Sequence, residues 1–288
     1  MKIPSAFLAG ALCAVAVLHG TCGAQPSKSR PAAHLFVAGD STASQYDSGN
    51  LQGWAAVLQP FFAEDKLRVV NAARSGSSSR TFITEGYWDR LLASVQPGDF
   101  VIIQFGHNDG RPIKADPGSE HPSAARGSLP GVGDESEDID NAVTGKRETV
   151  RTFGWYLRKM IADTRARDAT PILLTTTTPN AWSGRGVLCT SQTHRLWTHQ
   201  TAARESVALV DLKRIIADRY QRIGAAVVAG QFADNMHTNV AGAEANAADV
   251  VAGLRTLQGL PFESMLSARG QEVPTDPGRA EGSRCAAL

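Results

Sequence analysis

Five short apolar runs, each bounded by Gly, Pro or Asp and set apart by helical stretches, constrain this chain more than any other feature. They cover residues 34–39 (HLFVAG), 68–73 (RVVNAA), 100–105 (FVIIQF), 171–177 (PILLTTT) and 207–211 (VALVD). Rich in Val, Ile and Leu and lacking a polar alternation, they read as strands buried on both faces, the signature of a parallel sheet. Parallel strands need crossover connections. Helical patterns lie between or beside them at residues 53–62, 87–95, 148–166, 191–206 and 211–223, and a last one at 240–257 starts after Asn239, a candidate N-cap. Strands alternating with helices specify a three-layer α/β domain, with the strand order left open.

At 288 residues the chain can bury one large core. A net charge of +1 supplies no field that would draw nucleic acid or an anionic membrane, and no nucleic-acid partner is expected. Residues 1–24 read as a signal peptide: Lys2, an apolar run over 6–18, then Cys22-Gly23-Ala24 before the cleavage point. The run is shorter than the ~20 residues needed to cross a bilayer, so export to the periplasm or the exterior is expected, without stable membrane association. A polar linker follows at 25–33, the main domain at 34–258 and a C-terminal tail at 259–288 that looks irregular from about Glu272. Cys13 and Cys22 leave with the signal, and Cys189 and Cys285 remain in an oxidising compartment. A bridge between them would close a loop of 96 residues, worth roughly 4–5 kcal/mol in the chain-entropy account. Two free thiols are the other possibility. Residues 110–147, rich in Gly, Pro, Ser and acid, form a long insertion after the third strand, either a substrate wall or a solvated loop.

In open parallel sheets ligands bind at the carboxyl ends of the strands. Gly39-Asp40-Ser41 follows the first strand, Arg74-Ser75-Gly76 the second, and Gly106-His107-Asn108-Asp109 the third, so the three blocks converge on one edge. A serine hydroxyl becomes a nucleophile only when a base takes its proton. Ser41 is the candidate nucleophile and His237 the base. Asp234, three residues before His237, can hold the imidazole tautomer. The Ser41 and Gly76 N–H groups and the Asn108 side-chain amide are candidate oxyanion donors. The turn is not a Gly-x-Ser-x-Gly elbow, because Ala43 stands at the last position. Arg74 and His107 lie where they could contact substrate, and Trp182, in a loop after a strand, could stack on a sugar. His194 and His199 have no metal-ligand spacing, and neither metal nor cofactor is expected. Trp54 and Trp155 sit in helical patterns and read as core.

Taken together, the blocks resemble the SGNH (GDSL-like) hydrolase family, in which Ser41, Gly76, Asn108 and His237 match the four residues of the name and Asp234 the acid of Asp-x-x-His. Ala38-Gly39-Asp40-Ser41-Thr42, Asn71 with Arg74-Ser75-Gly76 and Ser79, Phe105 to Gly110, and DNMHTNVAGA from Asp234 resemble its rhamnogalacturonan acetylesterase branch. The resemblance covers residues 34–257. It implies a flavodoxin-like α/β/α sandwich, no cofactor, and removal of acetyl groups from a pectic polysaccharide through an acetyl-serine. An esterase of the same fold acting on acetylated xylan, small esters or lipids, and a non-catalytic polysaccharide-binding protein, are the competing readings.

Overall fold

The computed structural model describes residues 32–278 apart from 48–49, 117, 119, 122–123, 185 and 191, together with residues 1–2 and 285. Beyond Met1 and Lys2 the expected signal peptide lies outside the described residues, as do residues 25–31 of the linker. The strands are β1 (Ala33–Gly39), β2 (Leu67–Asn71), β3 (Phe100–Gln104), β4 (Ser136–Asn141), β5 (Lys146–Arg151), β6 (Thr170–Leu174), β7 (Trp182–Ser183), β8 (Gly186–Val187) and β9 (Ala208–Val210). The helices are α1 (Ser79–Thr84), α2 (Tyr87–Leu92), α3 (Phe153–Arg165), α4 (Gln192–Glu205) and α5 (Leu212–Ile223). They continue with α6 (Ala225–Ala229), α7 (Val240–Leu254), α8 (Phe262–Met265) and α9 (Ala268–Gln271).

Five strands pair in the order β2-β1-β3-β6-β9, every pair parallel. β1 lies between β2 and β3, with Val37 opposite Asn71 on one side and Ile102 on the other. The chain moves one way from β1 to β2 and the other way to β3, so a crevice opens at the carboxyl end of β1. Alternate side chains of each strand enter different cores. Leu35, Val37, Ile102, Ile172 and Val210 pack with α5, α7 and the tail helices. Phe36, Ala38, Val101, Ile103 and Leu173 pack with α1, α2, α3 and α4. This two-sided burial is why the strands read as unbroken apolar runs.

Several boundaries differ from the sequence reading. Residues 53–62 form two 3₁₀ turns, Trp54–Val57 and Gln59–Phe61, because Pro60 withholds the amide a continuous helix needs. Residues 148–151, expected to open a helix, belong to β5, and α3 starts only after Thr152, whose side chain caps Trp155 N–H. The end of the 110–147 insertion and the start of the expected helix thus form an antiparallel hairpin, β4 with β5. Within the C-terminal tail Phe262 and Leu266 are buried, the Phe262 ring standing 4.9 Å from Phe100 and 6.3 Å from Phe62. Cys189 and Cys285 form a disulfide with Cα atoms 5.4 Å apart. Among the described residues no helix is long and apolar enough to cross a membrane.

Candidate active site

β1 ends at Gly39, and the chain turns sharply through Asp40–Ala43. The fully buried Asp40 holds this turn. Its Oδ1 accepts from Thr42 N at 2.9 Å and Thr42 Oγ1 at 2.8 Å, while its carbonyl accepts from Ala43 N, Ser44 N and Ser44 Oγ. From behind, Asn71 at the end of β2 donates from Nδ2 to Ala43 O at 2.9 Å. Ser41 is thereby fixed at the carboxyl end of β1.

Its partner comes from the loop before α7. His237 Nε2 lies 2.9 Å from Ser41 Oγ, and His237 Nδ1 lies 2.8 Å from Asp234 Oδ2. The other Asp234 oxygen accepts the backbone N–H groups of Met236 at 2.6 Å and His237 at 2.7 Å, so acid and base share one tight turn. Desolvation works against the charge on Asp234, but the donors of His237 and Met236 outweigh it and hold the carboxyl below its ordinary range. An ionised Asp234 keeps a proton on Nδ1, which leaves the Nε2 lone pair facing the serine hydroxyl. A clasp joins the two turns: Gln52 N donates to Thr238 O at 2.8 Å, Thr238 Oγ1 to Gln52 O at 2.7 Å, and Gly53 N to Ser44 O at 2.9 Å. The sequence gives no sign of the clasp, since no motif marks Gln52 and nothing in the DNMHTNVAGA block assigns Thr238 a partner.

The loop after β2 places Gly76 at φ +79°, a conformation that L side chains rarely adopt. Among the described residues, neither Ser41 N–H nor Gly76 N–H donates to any acceptor. Asn108 gives one amide hydrogen to Ser77 O at 2.9 Å and keeps the second. Three donors are therefore free to meet an oxyanion. Asp109, next in the chain, turns inward and accepts from Ser79 N at 3.1 Å and from Ser79 Oγ, tying the start of α1 to the end of β3. Burial pushes its carboxyl up to about 7 against the pull of those Ser79 bonds. Tyr46 donates to Ser41 O at 3.1 Å and stands 3.2 Å from Ser75 Oγ, linking the nucleophile turn to the Gly76 loop.

The other expected site residues fall in different places. His107 sits 3.1 Å from Thr177 Oγ1, and burial holds its ring down to about 4 despite the nearby Asp40, so it is a neutral neighbour of the site. Arg74 lines a cleft beside Gly76, its guanidinium 5.4 Å from the Tyr87 ring centre. Trp182 turns its Nε1 to Asn180 Oδ1 at 2.8 Å and packs partly against the core. Its loop nevertheless touches the Asp234–His237 turn, because Asn180 N donates to Asn235 O at 3.0 Å. His194 lies between Phe153 and Trp197, each ring 5.0 Å away, and burial lowers it to about 4. His199 does have a carboxylate partner, Asp211 at 3.3 Å, itself held by Arg195. Trp54 is buried and donates to Gln104 Oε1 at 2.8 Å. Trp155 stands at the surface side of α3, its ring edge-on to Tyr156 at 5.3 Å. Among the described residues no group of three or more His, Cys, Asp or Glu could hold a metal.

Residues 37–245 match the GDSL-like lipase/acylhydrolase family. The chain is 30% identical over 244 residues to a probable rhamnogalacturonan acetylesterase, YesY, of Bacillus subtilis strain 168, covering 82% of this chain and 99% of that one. It is 28% identical over 209 residues to a rhamnogalacturonan acetylesterase of Emericella nidulans, covering 72% and 79%. Among solved structures, the Bacillus subtilis protein YxiM superposes with a TM-score of 0.61 at 24% identity, over 80% of this chain and 58% of that chain. An acetylxylan esterase of Geobacillus stearothermophilus superposes at 0.51 with 16% identity, over 81% and 96%. At those identities the structural likenesses speak for the fold alone. The family match spans most of the chain and the first relative nearly its own full length, so this chain is a carboxylic ester hydrolase that belongs to the GDSL-like lipase/acylhydrolase family, on the branch of the rhamnogalacturonan acetylesterases.

Proposed function

We propose that the chain is an exported acetylesterase that removes acetyl groups from rhamnogalacturonan or a closely related pectic polysaccharide. The observation that carries the chemistry is the unbroken line from Asp234 Oδ2 through His237 to Ser41 Oγ, with both links under 3 Å. Ser41 Oγ adds to the acetyl carbonyl carbon as His237 Nε2 takes the hydroxyl proton. Charge develops on the former carbonyl oxygen, which faces the Ser41 and Gly76 N–H groups and the free Asn108 amide hydrogen. The tetrahedral adduct collapses, the C–O bond to the sugar breaks, and His237 returns its proton to the departing sugar oxygen. Water then attacks the acetyl-serine with His237 again as base, releasing acetate and restoring Ser41. Two rhamnogalacturonan acetylesterase relatives support the choice of polymer, and the N-terminal pattern supports export.

The test measures acetate released by the mature chain and by Ser41→Ala, with acetylated rhamnogalacturonan, acetylated xylan and an aryl acetate as substrates. Preference for the pectic polymer, with kcat lost by a factor on the order of 10⁶ in the variant, is the expected result. Retained turnover in purified, folded Ser41→Ala overturns the mechanism, and preference for xylan overturns the substrate.

A further inference from the structure

The 110–147 insertion leaves the end of β3 and returns to it before forming its hairpin. On the way out Arg111 N donates to Asn108 O at 3.1 Å; on the return Gly127 N donates to Pro112 O at 3.0 Å and Ser128 N to Asp109 O at 3.1 Å. The return is locked in place. Gly127 O accepts from Nη1 of the buried Arg80 at 2.9 Å, and a Cβ at Gly127 would collide with the Arg111 carbonyl. From this base Arg126 reaches to the loop after β2. Its Nη1 donates to Gly76 O at 2.8 Å, and it covers Gly76 so closely that a Cβ there would stand 2.6 Å from that nitrogen. Among the described residues this is the one hydrogen bond of the Arg126 side chain, whose Nε is buried without a partner. The Gly76–Ser77 peptide is thus held at both ends, because its N–H, that of Ser77, donates to Arg74 O at 3.1 Å. The next carbonyl, Ser77 O, takes the Asn108 amide at 2.9 Å.

We propose that Arg126 is a positioning residue for the oxyanion hole: by fixing the Gly76–Ser77 peptide it aims the Gly76 N–H at the charge that develops on the acetyl oxygen. This rests on, and deepens, the reading of Gly76 as an oxyanion donor for acyl transfer at Ser41. A donor stabilises that charge most when it is aimed beforehand. Glycine is the residue least able to hold its own backbone still, and at φ +79° Gly76 has no side chain to pack. Arg126 supplies the missing stiffness from outside, through a charge-assisted bond that is stronger than one between neutral groups. The guanidinium touches no reacting atom, and its effect passes through the Gly76 carbonyl. The base of the insertion holds Asn108 in the same frame, so two oxyanion donors from different loops are set by one segment.

The test compares the mature chain with Arg126→Ala and Arg126→Lys on an aryl acetate, so that no polymer contact enters. Arg126→Ala is expected to lose about 10- to 10²-fold in kcat, less than outright removal of a donor, while circular dichroism shows the fold retained. Arg126→Lys should fall between the two, since an ammonium can meet the carbonyl but lacks the planar group over Gly76. Guanidinium chloride at about 50 mM, far below unfolding concentrations, is expected to raise kcat of Arg126→Ala about fivefold or more, and sodium chloride at the same strength is not. A denaturant cannot help a chain that is merely destabilised, so rescue separates positioning from folding. Amide hydrogen exchange at Ser77 reads the clamp without substrate and is expected to quicken about tenfold or more in Arg126→Ala. Wild-type kcat in Arg126→Ala, a loss that neither guanidinium nor lysine reduces, or unchanged Ser77 exchange would overturn the proposal. Absence of ester hydrolysis by the wild-type chain would overturn the acyl reading and the oxyanion role with it, whereas unchanged Ser77 exchange in an active enzyme would overturn the clamp alone.

Discussion

Gly53 supports the nucleophile turn from behind, and replacing it with alanine tests whether the turn is as rigid as its contacts imply. The backbone at Gly53 is extended, with φ −89° and ψ 153°, so alanine brings no conformational strain and the effect is purely steric. A Cβ there would stand 2.4 Å from Ala43 C and Ser44 O and 2.5 Å from Ser44 N, all backbone atoms. Restoring ordinary contact at 3.4 Å requires a displacement of about 1 Å. Ala43 is two residues from Ser41, whose Oγ lies 2.9 Å from His237, and the clasp through Gln52 passes the same push to Thr238 beside that histidine. A misplacement of about 1 Å typically costs about 10²-fold in rate, and overpacking a filled site costs about 1–3 kcal/mol. Gly53→Ala is therefore expected to lose about 10²-fold in kcat on an aryl acetate and to melt several degrees lower. Gly184→Ala, with no atom within 4 Å of the added carbon, serves as the control. Wild-type kcat and Tm in Gly53→Ala would show that the turn yields freely and refute the reasoning.

Arg80→Ala removes the buried partner of Glu148 and the donors to Gly127 O and Ile113 O, and is expected to cost about 3–5 kcal/mol in urea unfolding, with Arg80→Lys recovering only part because lysine has no fork. Burial raises the folded-state carboxyl of Asp109 to about 7, so from roughly pH 4 to pH 7 the folded chain holds a proton that the unfolded chain has released. Stability from this group is full below about pH 4 and is lost as pH rises towards 7; Asp109→Asn should flatten that part of the Tm–pH curve, and an unchanged slope would remove Asp109 as its source. Cys285→Ser opens a loop closed over a separation of 96 residues and should lower unfolding free energy by about 2–5 kcal/mol, with turnover at 25 °C kept within about twofold.

The sheet could be read from the sequence because both of its faces are buried: Leu35 and Phe36, or Ile102 and Ile103, enter opposite cores and leave no polar gap in the run. The motifs could be read because each lies on a short local turn, as Asp234 and His237 do. Short and conflicted segments were less readable. α1 spans only six residues, and its signal is a capping box of Ser78 with Thr81. β5 carries KRETVR, which reads as the first turn of a charged helix until β4 supplies a partner across the hairpin. Arg126, Tyr46, Gln52 and Gly53 carry no local signal of their roles, because their contacts reach across the fold to Gly76, Ser41, Ser75, Thr238 and Ser44, and no local spacing encodes such pairings.

Ser41 and His237, the proposed nucleophile and base, are separated by 196 residues, one early and one late in the chain, yet their turns meet in the fold. On the proposed mechanism no fragment ending before His237 carries a working site, so ester hydrolysis would report that the chain has been made and folded at least through that residue. The same separation suits the molecule to dissection. Cutting within residues 110–134 would leave Ser41, Gly76 and Asn108 on one piece and Asp234 and His237 on the other. Each piece would be silent alone, and recovered turnover would count reassembled pairs.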